Sequence, residues 1–172
     1  MSAADNGSGP GYYERVRRAL RGGVGANVLP IGEALHPVAL GAMIVLVVND
    51  WVLKPRLGPS AITGKLSDLA GLAAAPVVLT AGIGLVLLAL RAVGAPVDPK
   101  LSHRRLVLAI AATGVVFAAI KLSGRAAQVF TDVIGVVRPA QVYLDRTDLL
   151  CLPMLAVAWW IGRDELRRLG RG

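Results

Sequence analysis

Fifteen consecutive residues from Leu106 to Ile120, LVLAIAATGVVFAAI, carry no charge. About 20 helical residues cross the ~30 Å hydrocarbon core of a bilayer. A backbone in hydrocarbon must satisfy its own polar groups, which a helix does within one segment. Three more apolar stretches accompany this one, so the expected spans are residues 34–53, 66–92, 106–122 and 144–162. The second is the longest and has to tilt or protrude. The fourth is apolar without interruption only over 149–161, so a full crossing draws Asp148, and with it Asp145, to membrane depth. The expected fold is all-α and without sheet: a polytopic membrane protein of four transmembrane helices arranged as two helical hairpins. Residues 1–33 form a basic segment ahead of it and residues 163–172 a basic tail behind it.

Composition agrees. Of the 172 residues 55% are hydrophobic and 17% charged, against roughly a quarter charged in soluble domains. Disordered, collagen-like and coiled-coil chains are excluded with them. The 19 Lys and Arg against 11 Asp and Glu give a formal net charge of +8, which in a soluble protein would point to nucleic acid. In a multi-pass protein the same excess belongs beside anionic lipid, so the expected partner is the bilayer and not nucleic acid.

The first 33 residues read as a disordered tip and a juxtamembrane basic stretch with Arg15, Arg17, Arg18 and Arg21. They are not a signal peptide: the apolar run begins near Val38 and passes into Asn49, Asp50 and Trp51 without a cleavage site. With the N-terminus inside, twelve Lys and Arg flank the spans on the cytoplasmic side and seven on the other. Both termini are therefore expected in the cytoplasm of a bacterial inner or plasma membrane. Trp51 would anchor the first helix outside, and Trp159 and Trp160 the last helix inside.

The polar residues of the spans gather at the outer helix ends: Asn49, Asp50 and Lys54, then Lys65, Ser67 and Asp68, then Lys121, then Asp145, Thr147 and Asp148. Ionisable groups at membrane depth are costly unless paired or hydrated, so they face the bundle interior and mark functional candidates. A short repeat runs through them. Lys54 is followed by Ser67-Asp68-Leu69 and Pro76, and Lys121 by Thr147-Asp148-Leu149 and Pro153. Two parallel hairpins of this kind resemble a transporter plan, and helix capping by Ser, Thr and Asp explains the same pattern without function. The cluster reads in two ways. It is a salt-bridge network, with Lys65 and Asp68 on one face and Lys54 and Lys121 answering Asp50 and Asp148. Or it is a site, its carboxylates taking a hard cation or protons, or its lysines holding an anion near helix N-termini at Ser67 and Thr147.

Other features are weaker. Gly58 to Lys65, GPSAITGK, has the wrong spacing and Leu66 where a phosphate loop needs Ser or Thr. One cysteine, Cys151, and two histidines, His36 and His103, provide neither a disulfide nor a Cys- or His-based zinc site. No metal and no cofactor is expected. His36 ahead of Pro37 reads as an interfacial or capping residue. Gly71 with Ala75 and Gly114 with Ala118 are spaced for close helix packing, in the bundle or in a homo-oligomer. The loop 123–143 contains AAQVFTDVIGVV, an interfacial or re-entrant helix over the outer mouth.

TGKLSDLAGL, Thr63 to Leu72, together with His36-Pro37, Asn49-Asp50, Lys54, Thr147-Asp148-Leu149-Leu150 and Pro153, resembles an uncharacterised family of small bacterial multi-pass membrane proteins. The resemblance covers about residues 35–160. It implies a membrane fold and draws attention to these residues, and implies no activity.

Three functions are compatible with this reading. The expected one is a small transporter or ion-coupled permease component, with enzyme activity not expected for want of a nucleophile, metal or cofactor motif. The alternatives are a membrane-embedded enzyme acting on a lipid or lipid-linked head group, and a non-catalytic membrane subunit or assembly factor, alone or with a membrane partner protein.

Overall fold

The computed structural model describes residues 11–21, 29–58, 60–135 and 144–170. The regular structure of the described residues is helical throughout. A short helix α1 (Tyr12–Arg21) carries the basic N-terminal stretch. Then come α2 (Pro37–Val48), a π turn (Asn49–Leu53), α3 (Lys54–Leu57), α4 (Ala61–Ala92), α5 (His103–Leu122), α6 (Gly124–Gly135), a 3-10 segment (Arg146–Met154) and α7 (Leu155–Arg168). Residues 1–10, where the disordered tip was expected, lie outside the described residues, as does 136–143 of the last loop.

Three helical stretches are long and apolar enough to cross a membrane: Pro37–Leu57, Ile62–Ala92 and His103–Leu122. The first combines α2, the π turn and α3. Side chains such as Ile44, Val47, Val86, Leu108 and Val115 are exposed on them, as on helices that face lipid. The fourth expected span differs. It is a nine-residue 3-10 segment joined to the fourteen-residue α7. Pro153 sits inside the 3-10 segment near its junction with α7, and it has no N–H to give to the α-helical ladder.

Helix starts also differ from the apolar boundaries, because caps rather than hydropathy fix them. α4 begins at Ala61, not Leu66, since Ser60 and Thr63 form a reciprocal capping box. α5 begins at His103 behind Ser102, whose side chain accepts from the Arg105 N–H. Between α3 and α4 the chain turns at Gly58, whose φ of 78° suits glycine.

α4 is the hub. It packs against α2, α5, the 3-10 segment and α7, and its buried face is mostly small: Ala70, Ala73, Ala74, Val77 and Ala81. One core cluster joins Ala39, Val77, Ala158 and Ile161, a second joins Leu72, Phe117 and Cys151, and a third joins Leu101, Leu106 and Leu166. Close approach uses other glycines than expected. Gly71 has open space beside it and Ala75 is exposed, whereas Gly84 lies against the Pro30 carbonyl and Gly162 against Leu106. Gly114 packs on Leu155, as its spacing suggested. In the loop ahead of α2, Pro30, Gly32, Glu33 and His36 are all buried.

Candidate functional site

Two departures from α-helix bring the expected residues onto α4. At the end of α2, Pro55 has no N–H for the Trp51 carbonyl, and the Lys54 N–H reaches back to the Asn49 carbonyl in a widened turn. That turn carries Asn49, fully buried, and Asp50 toward α4. Asn49 Nδ2 donates to the Thr63 carbonyl and to Ser67 Oγ, both at 2.7 Å. Ser67 Oγ donates to Asp50 Oδ1 at 2.6 Å. The same Asp50 oxygen pairs with Lys54 Nζ at 2.6 Å. Asn49 Oδ1 is buried without a hydrogen-bond partner.

From the other side, Asp145 starts the 3-10 segment by accepting from the Thr147 N–H at 2.8 Å and from Thr147 Oγ1 at 2.7 Å. One turn on, Asp148 is buried. Its Oδ1 receives Lys65 Nζ and its Oδ2 receives Lys121 Nζ, each at 2.7 Å. Lys65 Nζ also donates to Thr147 Oγ1 at 2.8 Å and lies 3.6 Å from Asp145. Lys121, buried at the end of α5, lies 2.8 Å from Asp68 Oδ2 as well. That contact is an ion pair by distance without the directionality of a hydrogen bond. The Lys121 ammonium also sits 5.6 Å from the centre of the Phe117 ring, within cation–π range.

The eight expected residues thus meet as two groups on one end of α4. Asn49, Asp50 and Lys54 join through Ser67. Lys65, Asp68, Lys121, Asp145 and Asp148 form a network of alternating charge. The pairing differs in detail from the sequence expectation: Lys65 reaches Asp148 across the bundle rather than Asp68 on its own helix, and Lys121 bridges Asp68 and Asp148. An anion site at a helix N-terminus beside Ser67 is not what the fold provides, because α4 starts at Ala61 and Ser67 lies two turns inside it. Among the described residues no group of three or more His, Cys, Asp or Glu is placed to hold a metal ion.

A second polar cluster, at the opposite end of α4, was not expected. His36 Nδ1 accepts from the Val38 N–H at 3.2 Å and so caps α2. Its ring stands edge-on to Trp160 at 5.0 Å, and Nε2 lies 3.6 Å from Asp164 Oδ2. Trp159 turns to His103 at 5.4 Å and joins the packing around Leu106. Glu33 and Glu165 are both buried, and Arg168 Nη1 donates to Glu165 Oε1 at 2.9 Å. Gly32 lies so close to the Glu165 carboxylate that a Cβ there would overlap it. Burial pushes the Glu33 carboxyl above the ordinary carboxylate range. The nearby Glu165 adds to this, while its own backbone N–H, the Thr80 hydroxyl and Arg105 oppose it. Only a tertiary contact brings Glu33 beside Glu165, so apolar run length held no signal for it.

No protein-family model, curated protein or solved structure matches this chain.

Proposed function

We propose that the chain is a small ion-coupled membrane transporter that crosses the bilayer four times as two helical hairpins. Both termini lie in the cytoplasm, and the Asp68–Lys121–Asp148–Lys65 network at the outer helix ends is the coupling element. The observation that carries this reading is the convergence of two irregular backbone stretches, the π turn and the 3-10 segment, on one charged face of α4. Broken helices at membrane depth are tolerated where they line a site, and intramembrane charges cluster there. Short of a full α-helical span, the 3-10 segment and α7 together complete the fourth crossing. A homo-oligomer or a membrane partner protein is compatible with this assignment.

The chemistry follows from Lys121. It serves two carboxylates on two different elements, Asp68 on α4 and Asp148 on the 3-10 segment. A proton or monovalent cation that neutralises one of them leaves the ammonium to the other, so binding a cation changes which element α5 is clasped to. The head-group enzyme reading needs a lysine for an anion, and Lys54, Lys65 and Lys121 are each already ion-paired with a carboxylate. A purely structural clasp in a non-catalytic subunit is favoured by that same mutual pairing, and it makes the opposite prediction.

Thermal unfolding of the purified protein in detergent separates the two. A ligand that binds only the folded state stabilises it by about 2.7 kcal/mol at 100 times its Kd. For a coupling element, the melting temperature rises with one monovalent cation or with proton concentration at constant ionic strength, and Asp68→Asn removes the rise. A melting temperature indifferent to cation identity and to pH in the wild type supports the structural clasp.

A further inference from the structure

Glu33 lies in the loop ahead of α2, only 1% exposed, and its Oε1 has no hydrogen-bond partner. A carboxylate in that position loses water without replacement, at a cost that a neutral carboxylic acid avoids. Every packed element contributes a neighbour: Thr80 from α4, Arg105 from α5, and Glu165 from α7 with Arg168 and Asp164 beside it. Glu165 lies near enough to add to the cost of a charge on Glu33, which favours a proton there. The Arg105 guanidinium favours the carboxylate and works against the proton, but burial outweighs it.

His36 from the same loop is engaged elsewhere: its Nδ1 accepts the Val38 N–H and its Nε2 faces Asp164.

We propose that Glu33, with Glu165 nearby, forms a proton-binding site at the end of α4 opposite the Asp68–Asp148 network. The site is independent of the outer network: Thr80 lies about 18 Å along α4 from Asp68 at ~1.5 Å rise per residue. The ligand is a proton from water, taken by the Glu33 carboxylate to give a neutral carboxylic acid. Gly32 is what lets the loop bring Glu33 this close to the Glu165 carboxylate.

Infrared spectroscopy of the full chain in lipid tests this. In a pH titration the wild type keeps the C=O stretch of a protonated carboxylic acid above the ordinary carboxylate range. Carbon-13 labelling of glutamate, of which the chain has Glu14, Glu33 and Glu165, shifts that band, and Glu33→Gln abolishes it. If Glu33→Gln fails to fold, Glu33→Asp decides the matter, because its acid band no longer shifts with glutamate labelling. Because the folded-state value of Glu33 is raised, its contribution to stability is complete below the ordinary carboxylate range and is lost as pH rises through the raised value. The wild type therefore loses melting temperature over that interval, and Glu33→Gln does not. Absence of a glutamate-sensitive acid band above the ordinary carboxylate range, or a band that survives Glu33→Gln, overturns the proposal.

Discussion

Lys121 shows how much one residue's surroundings decide. It ends an apolar helix, is buried, and is tied to Asp148 and Asp68 at 2.7 and 2.8 Å. Breaking a buried pair leaves a charge without full compensation, which costs about 3–5 kcal/mol. Asp148→Asn is expected near the lower end, about 3 kcal/mol, because Lys121 keeps Asp68. Adding Lys121→Met should recover part of the loss of melting temperature in detergent, and strict additivity would show that the two side chains do not interact. Residues of this network were legible from sequence because an ionisable group bordering an apolar run has few places to go. The pairs Lys54–Asp50 and Lys121–Asp148 were legible too, but the meeting of Lys65 with Asp148 was not, since they are 83 positions apart. Glu33 and Glu165 were not legible at all. They stand in flanks that look solvated until the loop around Gly32 folds beneath the bundle.

Among the elements, the boundaries that hydropathy misplaced are those fixed by local hydrogen bonding. Ser60 and Thr63 extend α4 beyond its apolar run, and Pro55 and Pro153 mark the π turn and the 3-10 segment. Replacing Ser60 by Ala removes the side-chain acceptor for the Thr63 N–H at 3.2 Å. It should destabilise the fold by about 1 kcal/mol, with Ser60→Asp close to wild type. Hydrogen exchange at the first turn of α4 reads this directly: faster exchange confined to that turn is expected, and unchanged protection would mean that tertiary contacts alone hold the helix start. The three long apolar helices were legible because their length and uninterrupted apolarity need no tertiary information. The fourth was not, because its uninterrupted apolar run is only thirteen residues long, and hydropathy does not distinguish a 3-10 segment from an α-helix. The helix α6 (Gly124–Gly135) falls where an interfacial helix was expected, in a loop too polar for a span.

For the molecule as a whole, α4 carries a charged network at one end and a buried glutamate pair at the other, joined by a face of small residues that lets its neighbours pack closely. An ion-coupled transporter needs carboxylates that exchange a cation for a lysine partner, and the Asp68–Lys121–Asp148 arrangement supplies two acids competing for one ammonium. The most direct measurement is made on proteoliposomes with an entrapped pH-sensitive dye and an imposed sodium or potassium gradient. Coupling predicts a change of internal pH driven by the cation gradient with the wild type, absent with Asp68→Asn and with Asp148→Asn. Traces from the wild type that superimpose on those of protein-free liposomes, or variants that behave as the wild type, would contradict it.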